Sequence, residues 1–200
     1  MLTNPSTPLT FEVEIPSTTR RDTGGDLDWN AIDFWVFSIF TDKALLGQVR
    51  KLEKVELTRV WSLTERAIKR HRRMHHGALD PLEVHRRLLE GIAGESLLLS
   101  SSMFLDSMAE VEDYFDLTFK TIKSKLGKSL DPGTGERAIR AARVATVAAE
   151  VLGSFELARK YMHTKNFALG GATPAELLKT SEGERIVLNE LQSQAEGGPL

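Results

Sequence analysis

The chain has 200 residues, and 26 Lys plus Arg against 28 Asp plus Glu give a net charge of −2, which excludes a uniformly basic nucleic-acid coat and an acidic tail protein. A hydrophobic content of 41% supports one sizeable core or two small ones, as in a globular chain. The absence of cysteine excludes a disulfide framework, a thiolate zinc site, an iron-sulfur centre and a cysteine nucleophile, and suits a reducing, cytoplasmic setting.

Residues 1–27 carry Pro5, Pro8 and Pro16 among many threonines, with Arg20 and Arg21 but no apolar core of a secretory signal; they read as a flexible arm. From Asp28 onward apolar residues recur at three and four, the helical period. Trp29, Ile32, Trp35, Val36, Ile39 and Phe40 would line one face of a first helix, although the aromatic and β-branched density also permits a short strand. The most lipophilic stretch, Phe34 to Phe40, is far shorter than the about 20 apolar residues of a spanning helix, so no membrane span is expected. Leu46, Val49, Leu52, Val60, Trp61, Thr64 and Ile68 extend the helical pattern into the basic run 66–73, which Gly77 stops. Asp80 and Pro81 restart a short helix carrying Leu82, Val84, Leu88 and Leu89, and Gly91 and Gly94 mark a break.

Phe104, Leu105, Met108, Val111 and Phe115 stand at helical spacing. A turn at Asp116 and Leu117 leads to a second short helix, capped by Thr118, with Phe119, Ile122 and Leu126 inward. Two short helices joined by a tight turn form a helix-turn-helix candidate whose second member presents Lys120, Lys123, Lys125 and Lys128. Residues 131–135 read as a loop before a helix with Ala138, Ala141, Ala142, Ala145, Ala148, Ala149 and Leu152 on one stripe. Gly153 ends that helix, residues 155–162 form a further short one, and Thr173-Pro174-Ala175-Glu176 opens the next as N-cap, N1 proline and N3 glutamate. After Gly183 a last helix carries Ile186, Val187, Leu188 and Leu191 into a polar tail. The whole reads as all-α: a helical N-terminal extension over 28–95, a helix-turn-helix-like region over 96–135 and a small helical C-terminal domain over 136–200.

Catalytic and metal-binding patterns fail on spacing. Gly127-Lys128-Ser129 ends like a P-loop, but Ile122 occupies the place of its first glycine. Gly133 and Gly135 precede a helix, yet the preceding Asp-Pro marks an ordinary helix-helix connection. His71 and His75 have a metal-ligand spacing without the glutamate of a His-Glu-x-x-His motif, and Arg72 and Arg73 would repel a cation. No nucleophile elbow and no matched carboxylate pair occurs, so no metal, cofactor or catalytic residue is expected. The basic runs 66–73 and 120–128 read first as solvated helix faces. The second gains weight as the recognition helix of a helix-turn-helix, where lysines neutralise phosphates; few Arg, Asn or Gln residues there can read base edges.

The C-terminal third holds an ordered series: Arg137-Ala-Ile-Arg140-Ala-Ala-Arg143, Ala149-Glu-Val-Leu-Gly153, Ala158-Arg-Lys-Tyr-Met162, and Asn166-x-Ala168-Leu169-Gly170-Gly171-x-Thr173-Pro174-x-Glu176-Leu177-Leu178-x-Thr180-x-x-Gly183. Over about residues 100–198 this resembles the MbcA/ParS/Xre antitoxin family, whose toxin-binding domain carries a Leu-Gly-Gly-x-Thr-Pro-x-Glu-Leu-Leu-x-Thr signature. The resemblance implies an antitoxin of a bacterial type II toxin-antitoxin module, itself no enzyme. Its partner would be a RES-domain toxin that consumes NAD or transfers ADP-ribose from it, blocked at its NAD pocket by the last helix and tail. It also implies homodimers within larger toxin-antitoxin complexes and, in some relatives, operator DNA binding. The chain departs from the family at Ala172, where an arginine is frequent, and in the tail, where Ser193 to Gly197 replace an Arg-Ile/Leu-x-His-Gly-like segment. Glu196 there would pair with arginines of the toxin pocket. The expected pocket-blocking contacts are Leu191, Gln194, Glu196, Gly197, Gly198 and Leu200. Trp29, Trp35, Phe37, Phe40 and Trp61 are too many aromatics for a solvated arm, so the extension packs as a subdomain, as a dimer surface or against the toxin.

Overall fold

A computed structural model describes residues 40–52, 56–74 and 81–197. Trp29, Trp35, Phe37, His75, His76, Gly77, Gly198 and Leu200 lie outside them. The described chain is all-α, with helices α1 Lys43–Arg50, α2 Leu57–Met74, α3 Pro81–Glu90, α4 Ser96–Ser101, α5 Met108–Phe115, α6 Phe119–Lys125, α7 Pro132–Leu152, α8 Phe155–His163, α9 Pro174–Leu177 and α10 Ser181–Ala195, and a 3-10 turn at Phe167–Leu169. Only an isolated bridge between Ala93 and Ser129 adds extended pairing among the described residues.

The long helix α7 is the axis, packed on by α3, α4, α8 and α10. The expected alanine stripe is buried at Ala138, Ala141, Ala142, Ala145, Ala148 and Ala149, and small side chains let neighbouring helices approach closely. Residues 132–135 are the first turn of α7 rather than a loop. Asp131 caps it, accepting from the Thr134 N–H at 2.9 Å, and Pro132 follows as the first helical residue. Gly135 faces inward, where an added Cβ would lie 3.3 Å from Ile92. Thr134 and Lys125 hold the Asp131 carboxyl well below the usual carboxylate range, the hydrogen bonds from Thr134 foremost.

Helix α4 was not predicted. Leu97, Leu98 and Leu99 are all buried together with Ser96, Ser100, Ser101 and Ser102, so it has no wet face and no amphipathic period to read. Ser100, Ser101 and the C-cap Ser102 turn back onto the helix, Ser102 Oγ donating to Leu99 O at 2.8 Å. The preceding Glu95 is wholly buried; it accepts from Arg50 Nε and from the Gly127 N–H, joining α1 to the turn after α6.

The first helix of the helix-turn-helix candidate begins at Met108, later than Phe104, because Ser107 caps it by accepting from the Glu110 N–H. Asp116 closes α5 in the left-handed region at φ 54°, and Thr118 caps α6 as expected. Ile122 points into the core, whereas Phe119, expected inward, is 48% exposed. Tyr114 of α5 is buried edge-on between Phe104 and Phe115 and donates to the carbonyls of Arg137 and Leu178. A continuous hydrophobic cluster therefore runs from α1 to α10. Phe40, Val60, Thr64 and Ile68 of the N-terminal extension are buried in this same chain. Trp61 lies under the Arg159 guanidinium, 5.6 Å from its ring centroid.

Candidate functional site

The C-terminal motif residues are the parts of one folded connection between α8 and α10. Asn166 caps the 3-10 turn, accepting from the Ala168 N–H at 2.8 Å, while its own N–H donates to Ala172 O and its carbonyl accepts from Gly171 N. Gly170 and Gly171 both take positive φ, 69° and 83°, two consecutive left-handed residues that only glycine adopts cheaply. Leu169 turns inward. Thr173 and Glu176 form a reciprocal capping box, with Glu176 N donating to Thr173 Oγ1 and Thr173 N to Glu176 Oε2 at 2.8 Å. The hydrogen bonds from Thr173 lower the Glu176 carboxyl below its ordinary range. Pro174 and Leu178 are buried and Leu177 half-buried, pinning α9 to the core.

Thr180 then caps α10 by accepting from Gly183 N at 3.0 Å. Gly183, expected to precede the last helix, stands inside its first turn. An added Cβ there would lie 1.8 Å from Leu177 O, so the close approach of α9 to α10 requires glycine. Arg140 and Arg143 of α7 reach Glu184 in the same turn of α10, at 3.3 and 3.0 Å. Arg137 donates to Phe115 O at 3.0 Å. The three motif arginines thus hold α7 to α5 and to α10.

One turn from the end of α10, Glu190 gathers three donors: Tyr161 of α8, Asn166 Nδ2 at 2.9 Å and Gln194 Nε2. Burial, and then the Glu190 carboxylate, push the Tyr161 hydroxyl far above its ordinary pKa, so it stays a donor. Beside this junction Phe167 is 99% exposed. Leu157 and Ile186, one turn before Tyr161 and Glu190 on the same sides of α8 and α10, are exposed as well, at 50% and 38%. In the hydroxyl–carboxylate pair of Tyr161 and Glu190 the hydroxyl keeps its proton. Three exposed apolar side chains thus stand next to, or one helical turn from, the residues of a satisfied polar knot.

Residues 147–197 match a family model described as the antitoxin Xre/MbcA/ParS C-terminal toxin-binding domain. This segment belongs to that family. The antitoxin domain so matched begins in the last third of α7 and ends at the last described residue, Gly197. No curated protein matches the chain.

Within the antitoxin domain, the expected contacts are placed unevenly. Leu191 is fully buried; it is a core residue of α10, and packing replaces the surface contact expected of it. Gln194 is half-buried and engaged by Glu190. Glu196 is exposed at the helix C-cap, accepting from Gln192 Nε2 at 3.1 Å, and Gly197 follows at φ 78°. Outside the domain, Lys120, Lys123 and Lys128 are exposed, whereas Lys125 is half-buried and paired with Asp131 at 3.0 Å. His71 is buried beside Asp42, 3.3 Å from its Oδ2.

Sequence reasoning missed Phe167 and Glu190. In Phe167-Ala168-Leu169 either large residue could turn inward, and only the left-handed pair that follows decides for Leu169. Glu190 reads as one more acid on a wet helix face until the fold brings Tyr161 and Asn166 to it.

Proposed function

We propose that this chain neutralises a RES-class toxin by occluding the pocket in which that toxin consumes NAD or transfers ADP-ribose. The observation that carries the antitoxin role is the toxin-binding domain over residues 147–197; the RES class and occlusion follow the resemblance of the Leu169–Gly183 motif. Exposed apolar side chains beside a Tyr161 hydroxyl that keeps its proton fit inhibition by coverage rather than by chemistry. Glu196, exposed at the C-cap of α10, carries the carboxylate that would meet an arginine-lined pocket.

The test is NAD turnover by the purified toxin encoded beside this chain, alone, with the full chain, and with a chain ending at Leu191, the last buried residue of α10. Inhibition by the full chain alone places the blocking contact in the tail. Inhibition by both places it on the folded domain, and inhibition by neither overturns the reading.

A second reading, binding of operator DNA, is favoured by the exposed Lys120, Lys123 and Lys128 on and just after α6, the second helix of the helix-turn-helix pair.

A further inference from the structure

We infer that Phe167 is the anchor by which the antitoxin domain grips its toxin, inserted into an apolar pocket on the toxin surface with Leu157 and Ile186 packed around it. The inference rests on the antitoxin reading and locates its binding energy on a face distinct from the tail.

The first ground is exposure. Aromatic side chains carry a large share of the free energy of burial and are rarely left fully solvated, yet Phe167 is 99% exposed. The second is rigidity. The turn bearing it is held at both ends, by Asn166 N to Ala172 O, Gly171 N to Asn166 O and Gly170 N to Phe167 O. Asn166 Nδ2 ties the turn to Glu190, which Tyr161 and Gln194 also hold. A side chain displayed on a fixed turn loses little further conformational freedom on binding.

The third ground is convergence. Phe167, Leu157 and Ile186 come from three separate elements, each next to, or one helical turn from, a residue bonded at the Glu190 junction: Asn166, Tyr161 and Glu190 itself. All three lie inside residues 147–197, the segment matched to a toxin-binding domain, which identifies the occupant as the toxin. A fully exposed aromatic with smaller exposed apolar side chains beside a satisfied polar knot is the material of an interface hot spot. Glu190 is on this view a positioning residue.

The experiment is a binding titration of the toxin encoded beside this chain against the full-length protein and three variants. Phe167→Ala is expected to weaken binding at least tenfold with an unchanged melting temperature, because the side chain supports nothing in the fold. Phe167→Leu should recover most of that loss, and Phe119→Ala, an exposed aromatic on α6, should bind within twofold of the wild type. Wild-type binding that Phe167→Ala leaves intact, or that Phe119→Ala weakens equally, overturns the inference and spares the antitoxin reading. No binding by the wild-type chain overturns both.

Discussion

Gly183 stands where the carbonyl oxygen of Leu177 occupies the place of any Cβ. The obstructing atom is backbone, so relief requires α9 and α10 to separate around the fully buried Leu178 and Val187. Gly183→Ala should therefore cost about 3 kcal/mol or more, read as a lower urea midpoint. Thr180→Ala, which removes only the cap accepting from Gly183 N, should cost about 1 kcal/mol. Asp131 adds a pH dependence at the start of α7. Its folded-state pKa lies below the unfolded value, through the bonds from Thr134 and the pairing with Lys125. Its contribution is complete above the ordinary carboxylate range, at about pH 4 and higher, and is lost as pH falls through the lowered folded value. The stability gap between wild type and Asp131→Asn should accordingly be present at pH 7 and narrow below about pH 4, as followed by thermal melts. Gly183 was legible as a helix boundary, whereas Asp131 read as part of a loop. The partner of Gly183 was not legible, since the Leu177 carbonyl meets it only once α9 and α10 have folded back on each other.

Among the elements, the sequence announced Thr118 and Thr173 as helix caps; Asp131, Ser154 and Thr180 prove to be caps as well, each of the five accepting from a backbone N–H of the first turn that follows. Helix α4 escaped because a helix buried on every side has no alternation of wet and dry positions. The Glu190 junction escaped for a different reason, being assembled from α8, the 3-10 turn and α10 across 29 residues of chain. Helix α8 is fastened elsewhere by Arg159, whose guanidinium donates to the carbonyls of Ser102 and Leu105, pairs with Asp106 and covers Trp61. His163 Nε2 also lies 3.1 Å from Asp106 Oδ2, and Glu110 Oε2 accepts from the Asp106 N–H at 2.8 Å. Arg159→Met keeps the aliphatic stem over Trp61 and strips two half-buried carbonyls of their donor, so it should cost about 2 kcal/mol. Chemical denaturation measures that loss, and Trp61 emission should shift with it.

Across the whole molecule, the hydrophobic cluster is continuous from Phe40 to Leu191, so the N-terminal extension, the helix pair and the antitoxin domain are supported by common packing. The surfaces offered by this body nevertheless differ in chemistry. The C-terminal face is apolar around Glu190, whereas α6 and the turn after it expose Lys120, Lys123 and Lys128. Point charges without bidentate readers engage phosphates rather than base edges, so on the operator-binding reading α6 would supply affinity for DNA with little sequence discrimination. Each phosphate neutralised contributes about 0.9 to the slope of log K against log salt. Replacing the three lysines by alanine should therefore flatten that slope by up to about 2.7 per protomer for an operator fragment. Because none of the three is buried or part of a helix cap, the melting temperature should hold. Toxin neutralisation should hold as well, since the lysines lie outside residues 147–197. Filter binding at several salt concentrations, run beside the NAD-turnover assay on the same variant, measures both faces. A triple variant that loses DNA while still silencing the toxin assigns the two activities to separate surfaces of one core, and a variant that loses toxin inhibition extends the toxin contact onto α6.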